Sequence, residues 1–217
     1  MKKLLKRIII FFVPLINRLP FVNKLKIRKN KIVFSKARLS HCKVLCYGSG
    51  NLIKFCGKAK VVNTNIIIYG SNNVIEIGEN VLIKDGSFAV EDDGNRIIIG
   101  IDCRLTGSVH FACIEGCSIR IGQDCLFSYE ITMRTGDGHS ILDENSNRIN
   151  ASADISIGNH VWVGHRATIG KGVYIPDNCI IGNSAVVTKS IDKSNCAIAG
   201  IPAKVIKENI NWKFERI

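Results

Sequence analysis

An aliphatic side chain returns every six positions from Ile157 to Val187: Ile157, Val163, Ile169, Ile175, Ile181, Val187. Gly158, Gly164, Gly170 and Gly182 directly follow four of them. Four positions after each comes another small or medium residue: Val161, Ala167, Val173, Cys179, Ala185 and Ile191. A helix repeats about every 3.6 residues and a strand about every two, so a strict period of six means the chain turns a corner once per hexad. The pattern predicts a parallel β-helix of triangular section. Each hexad is a short strand plus a turn, the leading aliphatic fills the prism axis, and the second inward position admits only smaller groups.

A longer register precedes it. Ile53 with Phe55, Ile75 with Ile77, Ile97 with Ile99 and Ile119 with Ile121 recur every twenty-two residues, and Gly78, Gly100 and Gly122 follow the last three pairs. Twenty-two is one coil of eighteen plus a turn about four residues wider. Cys103, Cys125 and Cys179 each fall four residues after a leading Ile, so they are read as small core groups rather than redox groups.

The hexads break once. Ile121, Phe127 and Met133 keep the period, which resumes only at Ile157, and residues 134–154 between them are polar and turn-rich. A long loop leaving a regular solenoid costs closure entropy and adds no core, which marks it as functional. It carries one histidine, His139, the candidate proton acceptor, and Arg134 and Asp137 are candidate substrate contacts. Trp162 stands at the outward last position of its hexad and predicts a site wall facing His139 or a subunit contact. Lys189, Lys204 and Lys207 follow the last hexads and could hold a phosphorylated ligand.

Charge divides the chain unevenly. Residues 1–75 hold sixteen Lys or Arg and no acid, whereas residues 76–217 hold fourteen basic and eighteen acidic side chains. We therefore expect a basic amphipathic segment over 1–40, a β-helix over 41–192 and a tail over 193–217. The apolar run within residues 1–31 is broken by Pro14 and is too short for a span of about 20 residues. It predicts peripheral attachment to an anionic membrane surface, or packing against the domain or a neighbouring subunit. No cleavage site follows the run, so a cytoplasmic protein at the inner face of the cell membrane is expected. Hydrophobic content of 46% excludes a disordered chain, and the basic segment lacks the interleaved aromatics of nucleic-acid binders, so no nucleic-acid partner is expected. Nine Cys without a CxxC give no zinc-finger spacing, and no metal is expected.

The hexads, together with NHVWVG at 159–164, VVTK at 186–189 and AGIPAKVIKE at 199–208, resemble the hexapeptide-repeat acyltransferases over about residues 51–207. MRTGDGHSI at 133–141 is most similar to the bacterial O-acetyltransferases that decorate surface polysaccharides, sialic-acid capsules included, and the galactoside and maltose enzymes are also similar. The resemblance implies a mainly β, left-handed parallel β-helix, a homotrimer, acetyl-CoA as donor and a glycan acceptor. It implies His139 as catalytic base with Trp162 beside it. His165 and Asn183 would contact the pantetheine arm, and Thr188, Lys189, Lys204 and Lys207 the rest of CoA. Ser108 and His110 take the place of an acceptor-binding Asn of the galactoside enzymes, and Ser140 stands where a Pro often follows the histidine. Two rival readings remain. One is a γ-type carbonic anhydrase, which binds zinc through three histidines, two of them five residues apart, as His160 and His165 are; here the pair sits at a different hexad phase. The other is a silent β-helix scaffold at the membrane.

Overall fold

The computed structural model describes residues 13–216. Short parallel strands wind into a three-sided prism whose faces, here A, B and C, are sheets of eight, seven and nine strands. The first coil uses β1 (Lys24–Lys26) on face A, β2 (Lys31–Phe34) on face B and β3 (Arg38–Ser40) on face C, and each later coil stacks on the last in the same order. Stacking follows the sequence period. Ile53 pairs with Ile75, Ile75 with Ile97, and Ile97 with Ile119, so one column of Ile fills the axis. All four are fully buried, each stabilising the fold by roughly 1.5–3 kcal/mol relative to exposure. Cys103, Cys125 and Cys179 are buried as expected, and burial pushes the Cys179 thiol up to about 12, which leaves it inert.

The extra residues of each long coil sit at the vertex between faces A and B. Residues 69–73, for example, link β7 (Asn65–Ile68) to β8 (Val74–Ile77). Inside these wide turns stand buried asparagines. Asn51 Oδ1 accepts from Asn73 N at 2.8 Å, and Asn73 Oδ1 accepts from Asn95 N at 2.7 Å. Asn51 Nδ2 donates to the Gly70 carbonyl and Asn73 Nδ2 to that of Asp92, so a ladder of amides replaces the missing strand ladder at this vertex.

Two boundaries differ from expectation. The solenoid begins at Lys24 rather than 41, since β1 pairs with β4 (Lys43–Cys46) and β2 with β5 (Leu52–Phe55). It also continues past 192: β23 (Cys196–Gly200) extends face C beside β21 (Ile180–Ile181), and β24 (Ala203–Glu208) turns back antiparallel to it. Eleven of the sixteen early cations, from Lys24 to Lys60, are thus built into the coils as outward side chains of strands and turns, not carried on a separate segment. Residues 13–23 pack on the base of the prism. Asn17 donates to the Ala37 carbonyl and accepts from Leu39 N, and Asn23 accepts from Cys42 N. Residues 1–12, most of the apolar run, lie outside the described residues. Among the described residues no helix is long and apolar enough to cross a membrane.

Candidate active site

The long loop leaves β16 (Thr132–Arg134) on face A and re-enters at β17 (Ile155–Ile157) on face B, so it springs from the vertex that elsewhere holds the wide turns. Register is kept across it, with Ile119 paired to Ile155. Asn150, buried, fastens the loop. Its Nδ2 donates to Asp137 Oδ2 at 2.7 Å and to the His139 carbonyl at 2.8 Å, and its Oδ1 accepts from Ile141 N. Lys171 adds an ion pair to Asp137 at 2.6 Å, and Arg148 one to Glu115 at 2.6 Å. The backbone on either side of His139 is therefore fixed while its imidazole is exposed and makes no hydrogen bond among the described residues.

The Lys171 ammonium holds the Asp137 carboxyl below its ordinary value, and the Arg148 guanidinium does the same for Glu115. A carboxyl lowered in the folded state favours folding above the ordinary carboxylate range, and that contribution is lost as pH falls through the lowered value. Acidification should thus release the loop before the coils. Hydrogen exchange of the Ile141 and Ile149 amides, bonded to Asn150 Oδ1 and the Ile141 carbonyl, measures it; unchanged protection factors there in acid would contradict it.

Face A carries part of the expected site. Arg134, Asp137 and Thr188 line a groove of about 480 Å3 with Gly136, Thr168 and Lys171. His110, in β13 (His110–Cys113), lies on the same face beside Thr132, with Nδ1 3.3 Å from Ser87 Oγ. Burial, and then the Arg134 charge, lowers its pKa and favours the neutral ring. The other residues gather round face C and the C/A vertex. Trp162 points outward from β18 (Trp162–Val163), its Nε1 donating to Ser128 Oγ at 3.4 Å. His165 and Asn183 occupy successive C/A corners, joined by the His165 N to Asn183 Oδ1 bond of 3.0 Å, and Ser108 lies at the same vertex with φ of 44°. Glu130 faces His165 Nε2 at 3.6 Å and binds Arg166 more closely at 2.7 Å. Lys204 and Lys207 lie on β24 opposite Ala199 and Ala197, and with Lys189 they are exposed and make no ion pair among the described residues.

Within one chain, then, the expected site is split. His139 springs from the A/B vertex, which lies opposite face C and Trp162, and no hydrogen bond or ring contact joins the two side chains among the described residues.

Sequence reading missed Asn150, Glu115 and Lys171, which position the loop, and Trp212. Buried Trp212 stacks on His160 at 4.3 Å, lies 6.1 Å from Trp162 and donates from Nε1 to the His160 carbonyl. Its one signal was being the second of only two Trp. His160 is occupied by this packing and by Asp124 at 2.6 Å, so it serves to hold the tail on face C.

A three-sided parallel β-helix broken by one histidine-bearing loop defines a class, and comparison with known proteins agrees. Residues 154–189 match the family of bacterial transferase hexapeptide repeats (six repeats). The solved polySia-specific acetyltransferase NeuO is similar at 31% identity and TM-score 0.82, covering 89% of this chain and 83% of that one. The polysialic acid O-acetyltransferase OatWY is similar at 33% and 0.80, covering 90% and 89%. The chain belongs to the hexapeptide-repeat acetyltransferases of left-handed β-helix fold. The polysialic acid O-acetyltransferase of Escherichia coli O1:K1 is 41% identical over 88 residues, which is 40% of this chain. Such sequence matches span only 28% to 39% of the length of the first curated relatives.

Proposed function

We propose that the protein is an acetyl-CoA-dependent O-acetyltransferase that modifies a sugar hydroxyl of a bacterial surface polysaccharide or its precursor. The observation that carries this is the single interruption of the solenoid: its backbone is pinned at the His139 carbonyl while the imidazole is left free. The polysialic acid O-acetyltransferases it resembles support the acceptor class.

A sugar hydroxyl is a weak nucleophile, so a neutral His139 takes its proton as the oxygen attacks the thioester carbonyl. Backbone N–H groups of the corners stabilise the oxyanion. Collapse expels the CoA thiolate, and the imidazolium returns its proton to that sulfur, so no acyl-enzyme is needed. His165 and Asn183 line the path of the pantetheine arm, and Thr188, Lys189, Lys204 and Lys207 meet the nucleotide end. Arg134, Asp137, Ser108 and His110 contact the acceptor. The split site supports a C3 homotrimer in which the His139 loop of one subunit reaches Trp162 of the next. Residues 1–31 would add peripheral attachment to an anionic membrane, holding the enzyme near its glycan.

The purified protein, given acetyl-CoA and de-O-acetylated capsular polysaccharide, should release free CoA thiol and yield new O-acetyl proton signals by NMR. Thiol release no faster than without glycan, and no such signals, would overturn the reading.

A further inference from the structure

Face C carries a row of cations that the reaction at His139 does not use. In its outward column Arg38 pairs with Lys60, Lys60 with Leu82, Leu82 with Arg104, Arg104 with Leu126, and Leu126 with Trp162. Lys84 adds a second outward position and Lys58 the corner before Lys60. Adjacent strands lie about 4.8 Å apart, so Lys60, Arg104 and Trp162 follow one another at steps of about 10 Å along the prism. Lys58, Lys60, Lys84 and Arg104 line a groove of about 610 Å3 with Asn80 and Leu82, and no acid lines it. None of the four makes an ion pair among the described residues. Three carboxylates flank the groove and keep their charge: Asp102 accepts from Asn80, Asp85 accepts from Asn63, and the Glu79 side chain lies beside Gly57. Arg104 is also held in place, its guanidinium 4.5 Å over the Phe214 ring of the docked tail.

We propose that this row is a track for an acidic polysaccharide, leading the acceptor chain along face C to Trp162. The inference rests on the acetyltransferase reading and narrows its acceptor to a polyanionic glycan. Four unpaired cations lining one groove match a polymer that bears a carboxylate on each repeat better than a single small anion, and they raise its local concentration by long-range attraction. A nucleic acid shares the charge, but this column offers cations and aliphatic side chains rather than successive aromatic platforms for bases. A membrane needs apolar groups to insert, and Leu82 and Leu126 between the cations are half-buried.

The test is direct binding of labelled polysialic acid to the full chain at low salt, beside neutral dextran and a single-stranded oligonucleotide. We expect binding to polysialic acid and none to dextran. K60E/K84E should weaken it by about tenfold or more, K60R/K84R should retain it, and K24E/K26E, with the same change of net charge on face A, should shift it less than about twofold. Equal weakening by both Glu pairs would reduce the effect to net charge and overturn the track. So would tighter, K60E/K84E-sensitive binding of the oligonucleotide. The parent reading is tested separately by transfer. Acetylation of the polymer with a KM unmoved by K60E/K84E removes the track and leaves the enzyme. Site-specific binding without any transfer keeps the track and removes the enzyme.

Discussion

Replacing His139 with Ala lowers acetyl transfer by about 10²–10⁴-fold, the range expected when only a general base is lost. The fold should be untouched. The loop is held through the His139 carbonyl, which Ala keeps, and the exposed ring packs on nothing that the change would uncover. Near-normal turnover by the pure variant would remove His139 from the mechanism. The prism geometry adds a sharper test. Since the vertex bearing His139 lies opposite the face bearing Trp162, His139→Ala and Trp162→Ala subunits should complement each other when unfolded and refolded together. Random assortment in a trimer gives about a quarter of the sites an intact pair, so activity should rise from the residual level of the two variants toward about a quarter of wild type. Absence of recovery in mixed trimers confirmed by native mass spectrometry would put both residues in one subunit's site.

The solenoid was legible because its inward positions obey one period over many coils, and any six-residue window carries the same steric demand. Coil ends were less so. Lys24, Leu25, Lys26 and Lys31, Ile32 alternate as strands with one wet face do, yet beside the apolar run their charge read as a membrane-seeking segment. The loop was found as a break in the period, and its histidine with it. Its fastening was not. Asn150 meets Asp137 and the His139 carbonyl only because the loop doubles back, as the Leu142–Arg148 bridge shows, and no spacing in the chain encodes that fold. Nor does sequence place His139 and Trp162 on opposite sides of the same coil; that follows from which vertex the loop leaves.

The asparagine ladder stands in the sequence at Asn51, Asn73 and Asn95, the same period of twenty-two, but nothing in the pattern sets buried Asn73 apart from exposed Asn72 beside it. All three are buried, which sets a large expected effect on stability. In Asn73→Leu the Asn95 N–H loses its acceptor inside the turn, and the Asn73 Nδ2 bond to the Asp92 carbonyl goes with it. A buried donor left unpaired costs about 1–3 kcal/mol and each lost bond about 1 more, so a loss of about 2–4 kcal/mol is expected. In a domain of this size that lowers Tm by roughly 5–15 °C. The matching exposed change is Asn65→Leu, on the outward side of β7 with its backbone outside the left-handed region, and it should cost no more than about 0.5 kcal/mol. The ladder also couples each coil to the next, and solenoid stability rests on such neighbour terms, so the break at Asn73 should loosen the coils before it more than those after the loop. Thermal melting compares the two variants, and hydrogen exchange locates the loosening. If Asn73→Leu melts within about 1 °C of the wild type, the ladder merely fills space that an apolar side chain fills as well.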